Sequence, residues 1–105
     1  MKREMCCVYP TRDEKFIQNL SEMLKALSDD QRLKLLYLMK DFGEICNCEC
    51  DLSLDIRQST VSHHISILKK AGLIEDRKEG KWAFYSLKEK TSRLLEELEK
   101  EVQSI

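Results

Sequence analysis

The sequence predicts a mostly α-helical fold with a small β-hairpin, and three features of the chain support this. Aromatic residues make up 7% of the chain and charged residues 35%, with one proline and three glycines, a composition that favours helices over strands. Apolar residues recur at helical spacing in four separate segments. Two short runs of strand-forming residues flank a glycine in the C-terminal third. We expect one domain over residues 1–105, with an irregular arm at residues 1–10.

The first two predicted helices each begin with the pattern of a capping box, in which paired side chains bond the exposed backbone amides at a helix start. These patterns are Thr11-Arg12-Asp13-Glu14 and Ser28-Asp29-Asp30-Gln31. The first helix carries one apolar stripe, formed by Phe16, Leu20, Met23, Leu24 and Leu27. The second helix, which Gly43 ends, is apolar on nearly all sides and should be central.

A short third helix is predicted over about residues 46–54, followed by a turn at Asp55–Gln58. Ser59 or a neighbour then caps a longer helix that ends near Lys70. Three apolar residues of this helix share one face and should pack inward, namely Val61, Ile65 and Leu68.

A β-hairpin and a last helix complete the predicted fold. Gly72 is placed to end the preceding helix, and Leu73–Lys78 and Lys81–Leu87 follow as strands joined by a turn at Glu79-Gly80. Helical spacing returns within Lys88–Ile105. The order helix, turn, helix and hairpin is that of a winged helix-turn-helix.

In a winged helix-turn-helix, the second helix of the pair places its polar side chains in the major groove of DNA. Here the face opposite the apolar stripe carries short polar groups, namely Gln58, Ser59, Thr60, Ser62, His63 and Ser66. The hairpin tip adds the cations Arg77, Lys78 and Lys81, which suit contacts with backbone phosphates. From Arg57 to Lys81 there are six Lys or Arg residues and three Asp or Glu, although the whole chain has a net charge of -1. The same residues also suit an ordinary solvated surface, and spacing alone leaves both interpretations open.

The number of cysteines helps to predict the cellular compartment of the protein. Five cysteines in 105 residues is a high and odd number, and the N-terminus lacks the apolar segment of a secretion signal. No stretch approaches the ~20 apolar residues that span a membrane. We therefore expect a cytoplasmic protein without membrane association, whose thiols are reduced or bound to metal.

From about Leu24 to Leu87, the chain resembles the ArsR/SmtB family of metal-sensing transcriptional repressors. The stretches that carry the resemblance are Leu27–Leu36, Ser59–Leu68, Ala71–Ile74 and Arg77–Leu87. The resemblance implies a homodimer that binds double-stranded operator DNA and pairs through its first helix and its last, at about residues 88–103. It also implies that His63 faces DNA and that His64 lies nearer the core.

Residues Glu44–Leu52, here called the cysteine segment, resemble the metal box of that family, Glu-Leu-Cys-x-Cys-Asp. Cys46 and Cys48 fall on its two cysteines, whereas Glu49 replaces the aspartate and Cys50 has no counterpart. Thiolates bind soft ions, and a helix N-terminus would stabilise them. The resemblance implies that capture of As(III), or of a soft divalent ion such as Cd(II), Pb(II) or Zn(II), releases the DNA.

Two sets of thiols compete to complete the site with Cys46 and Cys48. Cys50 lies on the same segment and suits arsenite, our first choice of inducer, for which three sulfurs suffice. Cys6 and Cys7 lie on the N-terminal arm, as in some family members, and would give a tetrahedral ion such as Cd(II) or Pb(II) four sulfurs. A thiol redox switch, a thiol oxidoreductase and a structural zinc module are the alternatives. No catalytic motif is present, so we predict that the protein is not an enzyme.

Overall fold

The computed structural model describes residues 11–46 and 58–105. In these ranges four helices and three strands follow one another, which confirms a mostly helical fold with a small sheet. The helices are α1 (Glu14–Leu27), α2 (Asp30–Phe42), α3 (Gln58–Lys70) and α4 (Glu89–Gln103). The strands are β1 (Ile45–Cys46), β2 (Ile74–Glu79) and β3 (Trp82–Leu87), and β3 lies between the other two. None of the helices described is long and apolar enough to cross a membrane.

The core forms around α2, as the apolar character of this helix predicts. Leu35 and Leu36 are fully buried and Met39 is 1% exposed. On α4, Leu95 is also fully buried, and the hydroxyl of Tyr37 donates to its carbonyl oxygen at 3.2 Å. The predicted inward face of α3 is confirmed by the burial of Val61, Ile65 and Leu68. The opposite face of α3 is therefore the one that remains available to solvent.

Both predicted capping boxes place the helix start slightly too early. Asp13 caps α1 instead of Thr11, and Asp29 caps α2 instead of Ser28. The two carboxylates accept backbone N–H groups of the first turn at 2.8 and 3.0 Å. An ionised carboxylate is the stronger acceptor and also complements the positive end of the helix dipole, which explains the difference. Gly43, with a φ of 87°, ends α2 as predicted.

The sequence does not predict strand β1. It predicts a helix that begins at about residue 46. Ile45 pairs with Tyr85 and Cys46 with Phe84, in antiparallel register along β3. The two β1 residues are 6% and 5% exposed. The prediction that Cys46 begins a helix is wrong, because the edge of β3 supplies backbone partners and an apolar surface that override local preference. The rest of that helix, and the turn after it as far as residue 57, lie outside the described residues.

Strands β2 and β3 form a hairpin, residues 74–87, here called the wing. Its turn consists of Gly80 and Lys81, because Glu79 pairs with Trp82. The predicted turn at Glu79-Gly80 is therefore one residue too early. Gly80 has a φ of 62°, a backbone conformation that glycine adopts readily and that tight hairpin turns require.

Candidate nucleic-acid interface and cysteine site

Helix α3 presents one exposed polar face, here called the recognition face. Its exposed side chains in the described part of the chain are Thr60, Ser62, His63 and Ser66. The helix begins at Gln58, so Ser59 is its second residue and not its N-cap. The side chains of these two residues lie outside the described part. Short polar groups on one face of a helix allow close approach to the edges of bases in a major groove.

The wing places cations beside the recognition face. Lys78 and Lys81 are exposed, and within the described residues neither forms an ion pair. Lys69 of α3 pairs with Asp76 of β2 at 3.0 Å, which joins the helix to the wing. An open cavity of about 350 Å³ between these elements is lined by Ser62, Ile65, Ser66, Lys69, Lys70 and Tyr85. The surface is thus polar and cationic, as contact with a phosphate backbone requires.

Arg77, a predicted DNA contact, is bound within the protein in this structure. Its Nε and Nη2 atoms donate to the two carboxylate oxygens of Glu44, each at 2.8 Å, and Nη1 donates to Glu79 at 3.2 Å. The guanidinium carbon lies 4.5 Å from the centre of the Phe84 ring. These hydrogen bonds raise the pKa of Arg77 and lower the pKa of the Glu44 carboxyl. Arg77 therefore has an internal role that the sequence analysis missed.

A second polar cluster, also missed from the sequence, connects α3 to the junction between α1 and α2. The guanidinium of Arg32 donates to the carbonyl oxygens of Ala26 and Lys25 at 2.7 and 3.1 Å. Its Nη1 lies 3.2 Å from Nδ1 of His64, which is 8% exposed. Because a guanidinium only donates, Nδ1 accepts and the ring proton belongs on Nε2, 4.0 Å from Asp29. A cation in the first turn of a helix lies unfavourably beside the positive end of the helix dipole. This position was the sequence signal that Arg32 has a bonding role in the fold.

Of the five predicted thiol ligands, the structure describes Cys46 alone. Cys6, Cys7, Cys48 and Cys50 lie outside the described residues. Cys46 is 5% exposed in β1, and among the described residues no three His, Cys, Asp or Glu side chains are grouped to hold a metal ion. A thiolate is a suitable donor for soft ions, so the chemistry of Cys46 fits the predicted inducers. Its burial means that an ion reaches this sulfur only after a local change of structure.

Helices α1 and α4 carry apolar side chains that the described chain leaves exposed. Leu24 on α1 is 55% exposed and Val102 on α4 is 66% exposed. Four further apolar side chains on these helices are exposed, namely Phe16, Ile17, Leu20 and Leu98. A groove of about 460 Å³ lies beside α4, lined mainly by Leu27, Leu33, Tyr37, Leu95, Leu98 and Val102. Contiguous apolar surface of this kind is typical of contacts with another protein surface.

Known proteins of similar sequence are regulators of transcription. Residues 29–76 match the family described as bacterial regulatory protein, arsR family. An uncharacterized HTH-type transcriptional regulator of Methanocaldococcus jannaschii, MJ1325, is 44% identical over 68 residues, which cover 65% of this chain and 76% of that protein. The chain belongs to the arsR family. This membership confirms the predicted family. Because the family consists of regulatory proteins, it also confirms the prediction that the protein is not an enzyme.

Two further relatives of this arsR-family protein have names that mention arsenic or cadmium. The arsenical resistance operon repressor of Escherichia coli K12 is 39% identical over 66 residues, covering 63% of this chain and 56% of that protein. The cadmium resistance transcriptional regulatory protein CadC homolog of Staphylococcus aureus is 41% identical over 69 residues, covering 66% of this chain and 57% of that protein. The match thus spans little more than half the length of either relative.

The fold of this arsR-family chain also matches a solved structure. The homodimeric winged helix-turn-helix DNA-binding domain Mb0332 from Mycobacterium bovis superposes with a TM-score of 0.81 at 23% identity, covering 90% of this chain and 91% of that chain. This similarity confirms the predicted winged helix-turn-helix fold.

The contribution of the wing to DNA binding is testable through its exposed lysines. Lys78→Ala and Lys81→Ala should each weaken binding of this arsR-family protein to all DNA sequences, lowering the slope of log affinity against log salt by about one. Thr60→Ala and Ser62→Ala should instead reduce the preference for the operator over other sequences. Fluorescence anisotropy at several salt concentrations measures both quantities. Lys90→Ala, which removes the same charge from α4, is the matched control, and an equal effect of that variant would contradict the assignment.

The buried histidine of this arsR-family protein predicts a pH dependence of stability. Burial holds the pKa of His64 below its ordinary value of 6.5, with an opposing effect of Asp29 and smaller lowerings from Arg32 and His63. As the pH falls below that value the unfolded chain binds a proton before the folded chain does, so the free energy of unfolding decreases. His64→Asn keeps an acceptor for Arg32 and should make this decrease shallower.

Urea denaturation at several values from pH ~8 to ~5 measures the effect. Ser66→Asn, which introduces the same side chain at an exposed position of the same helix, is the matched control and should keep the wild-type pH dependence. An identical pH dependence in His64→Asn and the wild type would show that His64 is not its source.

Proposed function

We propose that this arsR-family protein is a cytoplasmic, homodimeric repressor that leaves its operator when cysteine thiolates bind As(III). The observation that supports this most directly is the position of β1. Cys46 belongs to the cysteine segment, and its strand pairs with β3 of the wing. A change at the thiols therefore acts on an element beside the surface that faces DNA.

The proposed DNA contacts divide between two elements. We assign contacts with base edges to the recognition face and to the two residues that precede it in α3, namely Gln58, Ser59, Thr60, Ser62, His63 and Ser66. We assign phosphate contacts to Lys78 and Lys81 on the wing, and to Arg77 through the Nη1 and Nη2 hydrogens that its bonds to Glu44 and Glu79 do not use. Phosphate contacts set the position of the protein on the duplex, and base contacts select the sequence.

The exposed apolar faces of α1 and α4 support a homodimer. Pairing through Leu24, Val102 and their neighbours would cover side chains that are 55% and 66% exposed in the single chain. A two-fold dimer presents two recognition faces, and these suit half-sites about 34–36 Å apart on the same side of the duplex. We therefore expect a pseudo-palindromic operator.

The proposed inducer site contains Cys46 and Cys48, completed by Cys50 or by Cys6 and Cys7 from the arm. Bound thiolates supply strong bonds to soft ions, and the names of the arsenical and cadmium relatives support an ion of this class. As(III) is our main candidate. A sensor of Cd(II) or Pb(II) is the alternative within the same family, and Zn(II) is a further candidate.

A titration tests this proposal. The reduced protein is bound to a DNA fragment that it selects from a random pool, and arsenite, Cd(II), Pb(II) and Zn(II) are added separately in a gel-shift assay. We expect release by arsenite at the lowest concentration. Release by Cd(II) or Pb(II) alone would favour the alternative sensor. Release by the thiol oxidant diamide, with no response to any ion, would refute metal sensing.

A further inference from the structure

One ion pair joins the start of the cysteine segment to the wing. Glu44 directly precedes β1, and Arg77 lies on β2, on the far side of β3. Their side chains meet in a bidentate pair with two N···O distances of 2.8 Å. Such a pair is stronger and more specific in geometry than a single contact. The side-chain exposures of 52% for Arg77 and 35% for Glu44 leave the pair open to solvent.

The register of the sheet explains how Arg77 reaches Glu44. Cys46 lies opposite Phe84, and Phe84 lies opposite Arg77. Directly opposed residues of antiparallel strands project from the same face, so these three side chains form one row across the sheet. The guanidinium passes over the Phe84 ring, 4.5 Å from its centre, and binds the carboxylate beyond it. The ion pair therefore spans the sheet on the face that carries the Cys46 side chain.

We propose that the Glu44–Arg77 pair is a latch that holds β1 on the wing and keeps Cys46 covered until β1 moves. Strand β1 has two residues, so its backbone ladder is short, and the side-chain pair adds a contact to that ladder and to the burial of Ile45 and Cys46. Glu44 is then a positioning residue, which acts through Arg77 and β1. The regulatory meaning of the latch rests on the proposed function, whereas its effect on Cys46 does not.

The latch links two binding equilibria. An ion that needs the Cys46 sulfur binds the open state, in which β1 has left β3, whereas DNA binds the latched state, in which the wing is held in place. Each ligand then weakens the binding of the other by the same factor. Weakening the latch shifts the protein towards the open state even without an ion.

Glu44→Gln tests the latch, and Asp76→Asn is its matched control. Both substitutions remove one negative charge from an ion pair of the wing, but Asp76 pairs with Lys69 of α3 and not with the cysteine segment. The first measurement is the rate at which iodoacetamide alkylates Cys46 in the ion-free protein, followed by peptide mass spectrometry. We expect Glu44→Gln to raise this rate about twofold to fivefold, as the loss of an exposed ion pair allows, and Asp76→Asn to leave it unchanged. Equal rates in the wild type and Glu44→Gln would overturn the proposal.

The second measurement is affinity for the operator. Glu75→Gln, which removes an exposed carboxylate of β2, is the control for this measurement. Loss of a carboxylate by itself favours attraction to DNA phosphates, so Glu75→Gln should bind as tightly as the wild type or more tightly. Glu44→Gln should bind about twofold to fivefold more weakly without an ion, and arsenite should change its affinity by a smaller factor. Emission from Trp82, the single tryptophan of the chain, reports on the wing in the same titration. Tighter binding by both variants would overturn the coupling to DNA.

Failure of the latch and failure of the proposed function give different results. If no ion displaces the wild type while Glu44→Gln still speeds alkylation of Cys46, the proposed inducer is wrong and the latch stands. Suppose that arsenite displaces the wild type, but that Glu44→Gln keeps both the wild-type alkylation rate and the wild-type ratio of operator affinities without and with arsenite. The latch is then wrong and the proposed function stands.

Discussion

Cys48→Ser is expected to abolish the release of DNA by arsenite and by Cd(II), while leaving the affinity of the ion-free protein unchanged. Serine keeps the shape of the side chain, but its hydroxyl is a poor ligand for soft ions. In the wild type the affinities without and with the ion should differ by a factor of about 5 to 150, the usual range of allosteric coupling. In the variant this factor should fall to about one. Anisotropy of a labelled operator fragment, measured with and without the ion, gives both affinities.

We choose Cys48 for substitution instead of Cys46, because Cys46 is buried in β1 and its replacement would also perturb the sheet. Cys50→Ser tests the third thiol of the same segment, and deletion of residues 1–10 tests the arm. Loss of the Cd(II) response on deletion alone would place Cys6 or Cys7 in the site, whereas its loss in Cys50→Ser alone would favour three local thiols. Release of Cys48→Ser at wild-type ion concentrations would contradict the proposal that the cysteine segment is the sensor.

Leu24→Asp is expected to convert the proposed dimer to a monomer and to weaken binding to the proposed operator by about 100-fold or more, because two linked half-site contacts become one. Leu24 is 55% exposed, so the new carboxylate is hydrated in the single chain. In the proposed dimer the same carboxylate would be buried without a partner, which costs ~3–5 kcal/mol. Sedimentation velocity measures the assembly state, and anisotropy measures the affinity.

Gln18→Asp is the matched control for this prediction. It adds the same charge to α1 at an exposed position, about 120° around the helix from Leu24. This variant should remain dimeric and bind DNA like the wild type. Circular dichroism should show native helix content in both variants. A dimer with wild-type affinity in Leu24→Asp would exclude α1 as the contact surface.

The sequence by itself determined the four described helices, the buried face of α3 and the family. Spacing near 3.6 residues identified Val61, Ile65 and Leu68 as inward-facing, and all three are buried. It also identified α2 as central and placed Gly43 at the end of that helix. These features depend on residues within one or two turns of each other, so the local pattern was sufficient to predict them.

Only the tertiary structure decided how β1 and α3 are attached. Ile45 and Cys46 form a strand because β3 offers an edge about 40 residues away in the chain, and two residues are too few to show periodicity. Arg32 reaches His64 across 32 positions, and Arg77 reaches Glu44 across 33. With 18 cations and 19 anions in the chain, opposite charge alone does not choose such partners. The packing of the sheet chooses them, because it brings strands that are distant in sequence into register and places their side chains on a common face.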